Sequence, residues 1–326
     1  MKKVLQPIVH RDSYNEPIES ELLGWLREVL FEPLFDILRH AGLDVRANSG
    51  TVNALRAAIE SGRVWYAQGA FTGQFNAAIS KEIRSLGGIM QGDGSFAVPL
   101  ANMPLQLRTL VAQSKARSEQ LHQKVINTLS AMEQNLAAAP TGLTFTKAVD
   151  KIVADLQKQF LATVAVVMDD LSVPAQLTPG IAEGMRTGLT ESSDFAIKNF
   201  ALEAIPELRA KVQQNLFAGG RADRLEALLQ SEYGVGQRKA RFIAENEASL
   251  AVSKFREERY KALGCQEYVW RTSHDAKVRH DHRLLDGRTF RFDAPPVVDQ
   301  ATGRRRNPGE DYECRCVAEP ILIYPS

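Results

Sequence analysis

Apolar residues recur at helical spacing over most of this chain. Ile18, Leu22, Trp25, Leu26, Val29 and Leu30 fall three or four apart, Pro33 interrupts, and Leu34, Ile37 and Leu38 continue the stripe. That period places them on one face of an amphipathic helix, or of two helices joined at a kink, ending at Gly42. The same reading predicts helices over 51–60 and 64–86, the second weakened by Gly69 and Gly73, and a loop at the glycine cluster 87–94. Further helices are predicted over 104–136, 144–170, 196–217 with a break near Pro206, 221–232, and 237–263 after Gly234-Val235-Gly236. No repeat of the kind that builds a solenoid is visible.

After Gly264 the pattern shortens. Segments 267–272, 288–292, 296–298 and 316–324 favour strands, and Asp286-Gly287, Thr302-Gly303 and Pro308-Gly309 supply turns between them. The expected fold is mainly α, with long helices followed by a small C-terminal α+β module carrying a short antiparallel sheet. That sheet should pack on the 237–263 helix, because each needs a partner for its apolar face. The expected divisions are 1–92, 93–234 and 235–326, the first two helical.

Bulk properties narrow the class. With 326 residues, 44% of them hydrophobic and 24% charged, the chain can bury a substantial core and should fold over most of its length. The 40 basic residues against 39 acidic ones exclude a polycation, so any electrostatic preference is local. A mild excess lies between Arg271 and Arg306, with nine Arg or Lys against five Asp. The N-terminal residues lack the apolar run of a secretory signal. The most apolar stretch, 160–168, is too short for the ~20 residues that cross a bilayer, so it reads as a buried helix and no membrane partner is expected. Three cysteines cannot all pair within one chain, and reduced thiols are the expectation.

Candidate chemistry gathers near the C-terminus. All three cysteines (Cys265, Cys314, Cys316) and three of the six histidines (His274, His280, His282) lie between 265 and 316. Cys314 and Cys316 would face the same side of an extended segment, so both thiolates could reach one metal ion, with further ligands drawn from His282, His280, His274, Asp275 or Cys265. The competing reading makes the two thiols small buried residues and turns Arg315 outward to a carboxylate such as Asp311. His274-Asp275 and His280-Asp281-His282, with Arg279 and Arg283, could instead serve acid–base catalysis in a nuclease, or hold a small sheet together as a polar network. Arg304-Arg305-Arg306 reads as a basic loop tip that could touch DNA or an acidic partner, or simply be solvated. No phosphate-cradling glycine motif is present in the 87–94 cluster. Trp25, Trp65 and Trp270 read as core anchors.

A set of ordered motifs spans the last third of the chain. It runs Ala240-Arg241-Phe242-Ile243-Ala244-Glu245-Asn246-Glu247, Trp270-Arg271-Thr272, Asp275, Arg279 to His282, Leu285-Asp286-Gly287, Pro308-Gly309 and Cys314-Arg315-Cys316. In this order the motifs resemble the phage Mu F-like minor head, or head morphogenesis, proteins of tailed bacteriophages. The resemblance covers about residues 237–320 and departs at Glu245-Asn246, where the family more often has Arg-Thr. It selects Glu247, Trp270, Asp275, Arg279, His282, Asp286, Gly287, Pro308, Gly309, Cys314 and Cys316 as the family positions. Among the metal candidates it favours His282 with Cys314 and Cys316, as a structural zinc site if any cofactor is present. What it implies is a structural, non-enzymatic minor capsid protein of a phage or prophage particle. Such a protein would be found in the virion, and in the host cytoplasm during assembly. It would act at the portal vertex in procapsid assembly and DNA packaging or ejection. Its partners would be the portal protein, other head proteins and packaged DNA, the last through Arg304, Arg305 and Arg306. The alternative is a nuclease or toxin-like enzyme in the C-terminal module.

Overall fold

The stripe that begins at Ile18 is helical, but its turns are not uniform. In a computed structural model, which describes residues 2–40, 54–165, 179–217 and 222–323, β1 (Lys2–Val4) precedes α1 (Asn15–Trp25). A π-helical turn over Leu26–Phe31 then leads into α2 (Glu32–His40). Pro33 cannot donate to the carbonyl of Val29, and the widened turn lies just ahead of it. The expected end at Gly42 lies outside the described residues. The next elements are α3 (Ala54–Glu60), β2 (Val64–Ala67), β3 (Ala70–Gly73), α4 (Ala77–Ser85), β4 (Ile89–Met90), β5 (Phe96–Ala97), α5 (Leu105–Ala138) and α6 (Thr146–Ala165). They are followed by α7 (Pro179–Phe217), α8 (Ala222–Ala262), β6 (Glu267–Arg271), α9 (His280–Arg283), β7 (Thr289–Arg291), β8 (Val297–Asp299), β9 (Arg304–Arg305) and β10 (Val317–Ile323).

Two corrections concern the helical reading. Residues 64–73 form a hairpin instead of a helix, with Val64 opposite Gly73 and Ala67 opposite Ala70. The β-branched and aromatic run Val64-Trp65-Tyr66 suits a strand. Gln68 and Gly69, at φ 51° and 84°, make the two-residue left-handed turn that a tight hairpin requires. Gly73 is obligatory for a second reason: a Cβ there would lie 2.1 Å from the Arg63 carbonyl oxygen. The cluster at 87–94 joins the same small sheet, whose order is β2-β3-β5-β4. Only α4 survives of the predicted helix, capped by Asn76, whose side chain accepts from the Ile79 N–H.

The second correction concerns breakers. α7 continues through Pro206, and α8 continues through Gly234 and Gly236. Around Pro206 the buried Ala201, Ile205, Leu208 and Val212 keep one face packed, so tertiary contacts outweigh the lost hydrogen bond. At Gly236 a Cβ would meet Leu26 Cδ2 at 2.8 Å, which makes this glycine a close-packing residue and not a terminator.

The chain divides into two compact units, each discontinuous in sequence: Met1–Trp25 with Pro140–Lys198 and Gln237–Ser326, and Leu26–Ala139 with Asn199–Gly236. In the second unit Leu55, Ile59, Val64, Phe71, Ile79, Ile83 and Phe96 build a core between α3, α4 and the small sheet. The first unit holds an antiparallel sheet of order β1-β10-β6-β7 and a two-stranded β8-β9 ladder. β1 comes from the extreme N-terminus and pairs Lys2 to Ile323 and Val4 to Ile321, a contribution the hydrophobic pattern does not announce. The expected class holds, with long helices followed by short C-terminal antiparallel strands. Among the described residues no helix is long and apolar enough to cross a membrane.

Candidate functional site

β6 is the strand on which the site is built. Tyr268 and Trp270 point inward while Glu267, Val269 and Arg271 are half-buried, the period-two alternation of a strand with one packed face. Trp270 is fully buried, sits opposite Ala318 of β10 and meets His282 edge-on at a ring separation of 5.5 Å. The Leu285-Asp286-Gly287 turn closes onto the end of this strand. Asp286 Oδ1 accepts from the Thr272 N–H at 2.8 Å, and the Gly287 N–H donates to the Trp270 carbonyl at 2.8 Å. Gly287 has φ +73°, which is why glycine stands there.

α9 is only one turn long, and Val278, His282 and Leu285 on one side of it are buried while His280, Asp281 and Arg283 are not. His282 is therefore the histidine carried inside, at 2% exposure. Opposite it, Cys314 and Cys316 are 5% and 4% exposed with Arg315 turned out between them, the alternation the sequence predicts. The Nδ1 atom of His282 lies 3.5 Å from Cys314 Sγ and 3.6 Å from Cys316 Sγ. Among the described residues these three form a group able to hold a metal ion, with their ligand atoms within 4.8 Å of one another. Cys265 is outside it: the residue is buried, its N–H donates to the Tyr260 carbonyl, and burial pushes its thiol up to about 11.

The charges in the cluster are coupled. Cys314 is held well below the usual thiol range, first by the hydrogen bond from Cys316 and then by His282. Cys316 is raised in turn, chiefly by that same contact with Cys314. Burial lowers His282, but its hydrogen bond and charge interaction with Cys314 outweigh this and raise it overall. Arg256 of α8, almost fully buried, has no hydrogen-bond partner for Nε or Nη2, and its charge interacts favourably with Cys314. Burial brings Arg256 down to about 10.

Asp311 is the residue that sequence reasoning placed wrongly. Arg315 pairs with Asp275 at 2.6 Å and not with Asp311. Asp311, 5% exposed, instead accepts from Arg279 Nη1 at 2.6 Å, lies 3.2 Å from Arg304 Nη2, and sits 3.5 Å from His282 Nε2. The reason is the left-handed residue Glu313, at φ 50°, which reverses the chain between Asp311 and Cys314. The Glu313 N–H donates to Asn246 Oδ1 at 2.7 Å. Asn246 thus departs from the family pattern yet anchors the cysteine loop to α8. Asp311→Asn should lower the unfolding free energy by about 2 kcal/mol, since it weakens charge-assisted hydrogen bonds to two arginines. Urea unfolding of the two proteins at one pH measures this, and equal midpoints would contradict it.

The other predicted positions have structural surroundings. Gly309 has φ +88°, and a Cβ there would reach Ser253 Cβ at 3.4 Å; Ser253 Oγ donates to the Pro308 carbonyl at 2.8 Å. Asn307, beside the Pro308-Gly309 turn, is buried between Tyr268 Oη at 3.0 Å and the Phe292 carbonyl at 3.3 Å. Asp275 is exposed, and it also accepts from the Lys277 N–H at 2.8 Å. Glu247 is buried on α8, where Oε1 accepts from Ser192 Oγ at 2.9 Å and Oε2 has no partner. The three arginines are not equivalent. Arg304 turns inward to Asp299 and Asp311, while Arg305 and Arg306 are exposed and donate to the Pro295 and Arg305 carbonyls.

Comparison with known proteins gives a match over the stretch that contains this cluster. Residues 206–319, about a third of the chain, match the family described as "Phage Mu protein F like protein", a similarity that supports a phage Mu F-like head morphogenesis protein. An uncharacterized protein of Haemophilus influenzae is 28% identical over 153 residues, which are 47% of this chain and 33% of that protein. The chain thus spans about a third of the length of the curated relative it matches. No solved structure matches.

Proposed function

We propose that this chain is a minor capsid protein of a tailed bacteriophage or prophage, acting at the portal vertex in procapsid assembly and in DNA packaging or ejection. The observation that carries this reading is the Mu F-like match over 206–319, which falls on the motif residues arranged around His282. Most of those motif residues join strands, turns and loop, although Asp275 and Asp286 also line an open depression with Thr272, His274 and Arg283. Trp270 walls the histidine, Asp286 and Gly287 close β6, and Gly309 lies against α8. The three C-terminal imidazoles do not converge either, because His282 is buried while His274 and His280 are exposed. That favours assembly over the nuclease reading, since acid–base chemistry needs positioned groups within hydrogen-bond reach of one substrate. Portal and other head proteins are the partners, with Arg305 and Arg306 available to DNA phosphates.

The test is co-purification with the cognate portal protein, run beside incubation with RNA and DNA, for wild type, His282→Ala and Cys314→Ala. The expected result is retention on the portal with no cleavage by any of the three. Cleavage that disappears with His282 would overturn the assembly reading.

A further inference from the structure

We infer that His282, Cys314 and Cys316 bind one zinc ion, through Nδ1 and the two Sγ atoms, and that this ion staples the cysteine loop to α9. A tetrahedral zinc with Zn–N of about 2.0–2.1 Å and Zn–S of about 2.3 Å holds each nitrogen–sulfur pair roughly 3.5–3.6 Å apart. The two separations here are 3.5 and 3.6 Å. Two buried thiols and one buried imidazole thus stand at the nitrogen–sulfur spacing the ion requires.

The surroundings support the same assignment independently. A zinc-ligating histidine usually gives its other ring N–H to a carboxylate, which fixes the tautomer and orients the ring. Nε2 of His282 is buried without a hydrogen bond and lies 3.5 Å from Asp311 Oδ2, the nearby carboxylate that could take this role, and Asp311 is itself held by Arg279 and Arg304. Arg256 places a buried positive charge that favours the thiolate form of Cys314. Zinc binds the deprotonated sulfur, so that field acts in its favour. Among the described residues the group able to hold the ion consists of these three side chains. The role is structural: Cys314 and Cys316 lead into β10, His282 belongs to α9, and the ion ties two segments that share no strand pairing.

The experiment uses the full chain, stripped with a chelator, reloaded with zinc and gel-filtered, with metal measured by mass spectrometry. About one zinc per chain is expected, unchanged in Cys265→Ser and lost in the Cys314→Ser/Cys316→Ser double variant. Because that double variant can also unfold, cobalt is added to the stripped wild type as a second readout. A thiolate-to-cobalt charge-transfer band with tetrahedral ligand-field absorption is expected. Zinc retained equally by the double variant, or no retained zinc and no cobalt band in wild type, overturns the assignment. The result is independent of portal binding, so it separates from the test of the assembly role.

Discussion

Trp270→Ala should remove about 4 kcal/mol of stability from the unit that carries the C-terminal sheet, as expected for deleting a fully buried tryptophan and leaving a cavity. The side chain is unexposed at the centre of a four-stranded sheet, between β10 and β7. Its cross-strand neighbour Ala318 is too small to fill the space, and its ring neighbours include His282 at 5.5 Å and Phe290 at 6.4 Å. A loss of this size is a large fraction of the ~5–15 kcal/mol by which domains are stable. It should be accompanied by exposure of Cys314 and Cys316 to a thiol reagent, because Trp270 is the wall behind His282. Trp270→Phe, which retains most of the volume, should lose much less. Chemical denaturation with thiol titration checks both, and an Ala variant as stable as wild type would mean that the sheet is not packed as described.

Glu247 gives the second large effect, and it depends on pH. Burial raises its carboxyl from an ordinary 4.5 to about 7, opposed by the Ser192 hydrogen bond and by Lys254. Protons are therefore held more tightly in the folded chain than in the unfolded one. Below pH 4.5 both states are protonated and the residue carries no penalty. As pH rises towards 7 the unfolded state ionises first, and above 7 the buried carboxylate destabilises the fold by roughly 3 kcal/mol. Glu247→Gln should remove that slope, so that the variant gains on wild type from pH 5 to pH 8. Urea unfolding of both proteins across this range measures the difference; parallel stability curves would show that Glu247 does not titrate in the fold.

How much of this was legible depends on the range of the interaction. Helical periodicity found α5 and α6, because a 3.6-residue stripe is a local property of the chain. A β-favouring run found β6, and the i, i+2 spacing put Cys314 and Cys316 on one side. The same local reasoning misjudged 64–73, where apolar residues fit a helix and a hairpin equally until Gln68 and Gly69 adopt left-handed angles. It also misjudged Pro206, Gly234 and Gly236, whose intrinsic cost is outweighed by packing. The ordered motifs pointed to His282, and the structure brings it to both thiols.

What the sequence by itself determined is the helical class, the C-terminal strands and the residue types able to form a thiolate–imidazole cluster. Only the tertiary structure decided which of three histidines turns inward, that Asp311 stands behind it, and that Arg315 goes to Asp275. It alone also joins residues 2–4 to the C-terminal sheet. The reason is physical: periodicity records which side of one element is apolar. The partner of a charge or of a strand edge is chosen by groups that meet only after distant segments have packed.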